Sequence, residues 1–265
     1  MDITLTLKNF ENSLRDLINA ILSKSKGENW FDNCGLSDNR IQSWRDSKKR
    51  EQKRIKNSDE RLIYYSQFFD LKEIVKKNWE VEFCNIFKNK IEFEILFDIL
   101  EQYRNPEAHR RELLPFQNYL ILGISGKFRT EITKYFSKME TGESYYPRLE
   151  HIQDNLNNNW ARNKSKVLNT HKVLRVGDKL EFTLTATDPM GEEILLTALP
   201  IINPLKCEWK TSNNFELEIK KCHVGEVLYI KFAVKSNREF HAKISPGLGH
   251  IDDEVIFTYE VLPPK

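Results

Sequence analysis

The stretch Leu180-Glu181-Phe182-Thr183-Leu184-Thr185-Ala186 sets apolar residues on one side of an extended chain and polar ones on the other. A period of two is the mark of a half-buried strand. The same alternation returns at Phe215-Leu217-Ile219, Leu228-Ile230-Phe232-Val234 and Val255-Phe257-Tyr259-Val261. Turn signals separate these runs: Val176-Gly177-Asp178, Asp188-Pro189-Met190-Gly191, Val224-Gly225-Glu226 and Ser245-Pro246-Gly247. Short alternating strands with such punctuation predict an antiparallel β-sandwich from about residue 172 to the end.

Upstream the period changes. Leu7, Phe10, Leu14, Leu17, Ile18, Ile21 and Leu22 fall at steps of three and four, an apolar stripe on a helix. Ser37 or Asp38 can cap a second helix running through Arg54, and Asp70 stands at a plausible start for a third. Lys90 to Tyr103 holds no Gly or Pro, which favours a helix, although Ile91, Phe93, Ile95 and Phe97 also permit a strand. A further helix is expected from about Glu107 through Leu122, with Pro115 as a kink or a new start. Gly123 and Gly126 break its pattern before Phe128, Ile132 and Phe136 resume it. The polar, Asn-rich stretch Asn155 to Thr170 reads as a connector. The expected organisation is therefore α+β in two domains: an all-α bundle over 1–150, a linker over 151–171 and the β-sandwich over 172–265.

Composition narrows the function. The 265 residues carry 30% charged side chains but a net charge of only +2, with +3 in the helical part and −1 from Lys166 onward. Bulk electrostatic coating of nucleic acid is excluded, so any RNA contact must come from a local patch. The basic cluster Lys48, Lys49, Arg50, Lys53 and Arg54 is either a solvated helix face or a contact track for a phosphate backbone. No basic segment followed by an apolar stretch opens the chain, and the run Tyr119 to Ile124 is far short of the roughly 20 residues that span a bilayer. A cytoplasmic protein without membrane attachment is expected. Cys34, Cys84, Cys207 and Cys222 form no C-x-x-C pair, and reduced thiols are expected although a Cys207–Cys222 bridge is conceivable. His151, His171, His223, His241 and His250 lack metal-ligand spacing and are read as ordinary surface or core residues. Asp188, Glu192, Glu193, Asp252 and Asp253 can hold calcium only if they meet at one end of the sandwich; without a D-x-D pattern, turn chemistry is the expectation. No metal or cofactor is expected.

One hexapeptide carries chemistry: Arg104-Asn105-Pro106-Glu107-Ala108-His109. On an unbroken helix, residues five apart lie about 140° from each other. Asn105 as a cap and Pro106 as a first helical residue let one helix end near Arg104 and another begin, so both groups can face one cleft. A guanidinium can grip two phosphate oxygens, and an imidazole in a first helical turn can take or give a proton. That pairing suits phosphodiester cleavage. By spacing alone the pair is common, and the plain reading is that both are helix-end residues with local hydrogen bonds.

Arg-Asn followed by His, after a long apolar helix in a helical domain of this length, resembles the R-x4-6-H motif of the HEPN superfamily. Tyr64 through Trp79 and His109-Arg110-Arg111-Glu112-Leu113-Leu114 resemble the branch containing the HEPN domain of the yeast Swt-type RNA quality-control endonuclease. The likeness covers roughly residues 5 to 140. It implies a metal-independent endoribonuclease, homodimeric through the helical domain, with Arg104 and His109 of both subunits in one composite site. Asn105 would position the arginine and cap the histidine-bearing helix, with Arg110, Arg111 and the Lys48–Arg54 cluster holding RNA. Pro106 and the Arg110-Arg111 pair depart from the common pattern. Many HEPN domains are non-catalytic binding or dimerisation modules, which is the alternative implied. The β half is similar to cadherin- or PKD-like immunoglobulin-like modules, which imply a protein partner at the sandwich.

Overall fold

A computed structural model describes residues 3–54, 61–104, 113–162, 164–201 and 207–265. The chain divides into two compact units, Met1–Ile132 and Thr133–Lys265. The first is helical and the second is built of sheets, giving an α+β layout in two parts.

In the first unit, α1 (Ile3–Lys26) buries the expected stripe from Leu7 to Leu22. The helix α2 (Asp38–Gln52) follows Ser37 and buries only Ile41 and Trp44. The third helix, α3, spans Phe68–Lys77 and so starts two residues before Asp70. Gln67 is its cap, and Asp70 lies inside the first turn, where its carboxylate accepts from the Gln67 N–H at 2.8 Å. An acid there satisfies an orphan donor and faces the positive end of the helix dipole. A short helix α4 (Cys84–Phe87) leads to α5 (Lys90–Arg104), which buries Phe93, Phe97 and Leu100. The strand alternative fails because those three fall at steps of four and three, leaving Ile91 and Ile95 exposed. Phe10 of α1 centres the core, with ring centroids 6.0 Å from Phe68, 6.0 Å from Phe97 and 5.2 Å from Phe128.

The last helix, α6 (Pro115–Thr141), runs through both Gly123 and Gly126. The expected break is absent because Ile121, Ile124 and Phe128 are buried on its inner face, and that burial outweighs two weak helix formers. Pro115 is its first residue, a position where a missing N–H costs nothing.

The unit boundary falls inside α6, upstream of the expected one, because its last turns pack with the sheets: Phe136 lies 4.4 Å under the Arg162 guanidinium. The expected linker is likewise replaced by structure. Strands β1 (Arg148–Asp154), β2 (Asn159–Ala161) and β3 (Val167–Arg175) occupy it. Its Asn-rich core is a hairpin turn. Asp154 accepts from the Leu156 and Asn158 N–H groups at 2.9 and 2.7 Å, from Asn158 Nδ2 at 2.6 Å and from the Tyr259 hydroxyl at 2.8 Å. The polarity that suggests a connector is turn chemistry beneath a buried Trp160.

The remaining strands are β4 (Lys179–Thr187), β5 (Ile194–Pro200), β6 (Asn214–Glu218), β7 (Gly225–Ser236), β8 (Lys243–Ser245), β9 (Gly249–Ile251) and β10 (Asp253–Leu262). They form two four-stranded sheets, β2-β1-β4-β6 and β3-β10-β7-β5, and the β8-β9 hairpin. One core serves both large sheets, with Phe182 of β4 against Phe232 of β7 at 4.9 Å. The expected all-antiparallel pairing is corrected at one place: β3 runs parallel to β10.

No helix among the described residues is long and apolar enough to cross a membrane. All four cysteines are free.

Candidate functional site

Arg104 lies in the last described turn of α5. Its Nη2 lies 3.2 Å from Oε2 and 3.3 Å from Oε1 of Glu11, and the guanidinium stands 5.2 Å over the Phe68 ring. The side chain keeps 37% of its surface exposed, while Glu11 is nearly buried at 9%. Arg104 is thus held at one nitrogen and one face and presents the rest outward. Asn105, His109, Arg110 and Arg111 lie outside the described residues.

Glu11 has a second partner. Arg15, one turn later on α1, bonds the same carboxylate through Nη2 and also reaches the Ser66 carbonyl at 2.8 Å. Burial lowers the Arg15 pKa most; Glu11 opposes that and the neighbouring Arg104 charge adds to it. Two guanidinia on one carboxylate leave a surplus positive charge. Beside them Arg61 pairs with the buried Asp16. Such a group can receive an anion with a phosphate's charge at the exposed face of Arg104, where a fork of N–H donors is preorganised.

Neither Glu11 nor Arg15 stands out by spacing from Arg104. The available signal is local: Glu11 sits next to Phe10 in the buried stripe, and a carboxylate there needs a cation. An arginine four residues on supplies one by helical geometry.

The basic cluster occupies the last turn of α2 and the residues after it. Lys49, Arg50, Lys53 and Arg54 are exposed and Lys48 is half-buried. Arg50 bonds its own helix, at Ser47 Oγ (3.1 Å) and the Asp46 carbonyl (3.4 Å). At the other end of α2, Arg40 and Trp44 converge on the buried Asp70, with Trp44 Nε1 at 2.9 Å. That is a structural anchor. The cluster and Arg104 stand on different elements, linked through the Leu62–Ser66 segment that packs on α2 and holds Arg15.

The calcium candidates do not converge. Asp188 and Glu192 share Arg238, Asp253 is held by Lys166 at 2.9 Å, and Asp252 accepts from Ser236. Among the described residues no group of three or more His, Cys, Asp or Glu is arranged to hold a metal.

No family model, no curated protein and no solved structure matches the chain.

Proposed function

We propose that the chain is a metal-independent endoribonuclease of HEPN type, a cytoplasmic homodimer whose two Arg104/His109 pairs form one composite site. Arg104 binds the scissile phosphate and stabilises the charge growing on it. His109 takes the proton of the attacking 2′-hydroxyl, and its counterpart from the second subunit protonates the leaving 5′-oxygen. The products are then a 2′,3′-cyclic phosphate and a free 5′-hydroxyl. Asn105 caps the His109 helix, and Arg110, Arg111 and the Lys48–Arg54 cluster hold the RNA backbone.

The observation that carries this reading is Arg104 itself. It lies on α5, the helix that leads into the motif, and rests on Glu11 and Phe68 with part of its surface outward. The first two turns of α6 and the residue before it supply support for the dimer, since Leu114, Phe116 and Tyr119 are exposed at 55%, 60% and 74%. An apolar group of this size on a helix suits self-association. In the second unit, β1 pairs in one sheet and β3 runs beside the last strand in the other. Two four-stranded sheets around one core support the immunoglobulin-like reading, with a protein partner at that unit.

The test is incubation of the full chain with RNA in excess EDTA, with end-group analysis of the products. Cleavage to cyclic phosphate ends that disappears in His109→Ala is expected; equal degradation by both proteins would overturn the assignment.

One observation favours the second reading, a non-catalytic RNA- or nucleotide-binding module: Arg104 is engaged internally by Glu11. That reading expects RNA retention without product and no effect of His109→Ala.

A further inference from the structure

His241 and His250 are nine positions apart, a spacing without any ligand signature, yet the fold brings them together. The β8-β9 hairpin pairs Ile244 with His250 and Lys243 with Ile251, so the residues leading into β8 run beside the end of β9. The two imidazole centroids stand 6.1 Å apart with planes inclined by 33°. His250 is exposed and His241 is partly covered.

Behind His241 lies Asp252, with no exposed surface. Both carboxylate oxygens are 3.2 Å from His241 Nδ1. The same carboxylate accepts from the Ser236 N–H at 2.7 Å, the Ser236 hydroxyl at 3.2 Å and the Ala242 N–H at 3.2 Å. An ionised carboxylate only accepts, so Nδ1 of His241 carries the proton of this bond. In the neutral ring the lone pair is then on Nε2, on the side away from Asp252. A buried carboxylate that fixes a histidine in this way is the outer partner of metal-ligating imidazoles, which it orients and makes more basic.

We propose that His241 and His250 form a binding site for one divalent late transition-metal ion, with zinc as the reference ion and Asp252 as the residue that positions His241. Two metal–nitrogen bonds of about 2.0–2.1 Å, added to the two ring radii, reach about 6 Å, so centroids 6.1 Å apart are within range of one shared ion. Nearby cations have partners of their own: Lys243 pairs with Glu254 at 3.1 Å, Lys231 donates to Ser245 at 2.8 Å, and Arg148 donates to the Asp252 backbone carbonyl. No third histidine, thiolate or carboxylate joins the pair among the described residues, so water completes the coordination. Two imidazoles select zinc, nickel or copper over magnesium and calcium, which require oxygen ligands. The site is independent of the nuclease reading and lies in the other unit.

Isothermal titration of the full chain with zinc chloride, repeated with nickel and magnesium, tests this. One site of micromolar strength for zinc and nickel and none for magnesium is expected. His250→Ala, at an exposed position, lowers the zinc affinity by at least about 10-fold, and the double variant His241→Ala/His250→Ala removes that site. Amide spectra with substoichiometric copper(II) place the broadening at residues near 241 and 250. Zinc binding of undiminished affinity in the double variant, or no zinc binding up to about 1 mM, overturns the proposal.

Discussion

Glu11 and Arg104, 93 positions apart in sequence, meet at 3.2 Å, and that contact ties α5 to the middle of α1. Because Arg15 shares the carboxylate, Glu11 sets where both guanidinia sit. Glu11→Gln keeps the shape but removes the charge between two cations, so a loss of about 2 kcal/mol of stability is expected in urea unfolding. If Arg104 grips a scissile phosphate, its displacement also slows RNA cleavage by about 10²-fold. A purely structural Glu11 lowers stability alone: cleavage per folded molecule then stays at the wild-type rate.

Arg104→Lys separates charge from geometry. Lysine retains the positive charge but loses the planar fork and the stacking on Phe68. Under the nuclease reading, both Arg104→Lys and Arg104→Ala lose about 10²–10³-fold in cleavage rate in single-turnover assays. Near-complete rescue by lysine would reduce Arg104 to a general electrostatic contact.

The helical stripe of α1, the α5 face and the alternating strands were legible because burial imposes periods of 3.6 and 2 directly on the sequence. Other features were not, each for a physical reason. Asn155 to Asn158 look like linker because the residues that make a tight turn are the same polar residues that solvate a loose one. Gly123 and Gly126 look like a break because propensity is local, whereas Ile121, Ile124 and Phe128 are held by distant partners. Of the candidate site, Arg104 was marked by its motif. Glu11 and the pairing of His241 with His250 depend on contacts that only the folded chain defines.

The two glycines of α6 offer a direct stability test. Neither has a positive φ, and a Cβ at either meets nothing within 4 Å. Gly123→Ala should therefore stabilise the protein by about 1 kcal/mol, the difference in helix propensity between the two residues. A rise in the urea midpoint is the readout; a fall would mean that this face of α6 packs against something in solution.

Tyr259 donates to Asp154 at 2.8 Å inside the second unit, and burial, followed by the Asp154 charge, pushes its hydroxyl pKa upward. Tyr259→Phe removes one of the donors that hold the β1–β2 turn and should cost about 1.5–3 kcal/mol, the range for a hydrogen bond to a charged group. Amide exchange at Leu156 and Asn158, whose N–H groups bond the same carboxylate, should accelerate with it. Unchanged protection there would show that the turn holds without the tyrosine.

His223 makes stability depend on pH in a defined direction. It is buried, and its Nδ1 accepts from the Lys220 N–H at 3.1 Å, which requires an unprotonated nitrogen. Burial first, and the Lys220 charge second, lower its pKa below the ordinary 6.5. Below that value the unfolded chain binds a proton that the folded chain refuses, so acidification favours unfolding. The His223 contribution is complete above pH 6.5 and is lost as pH falls toward the lowered folded value. His223→Asn retains an acceptor but cannot titrate. Urea midpoints measured at neutral pH and about one to two pH units lower should therefore drop less in this variant than in the wild type. An equal drop in both proteins would place the acid sensitivity on other groups.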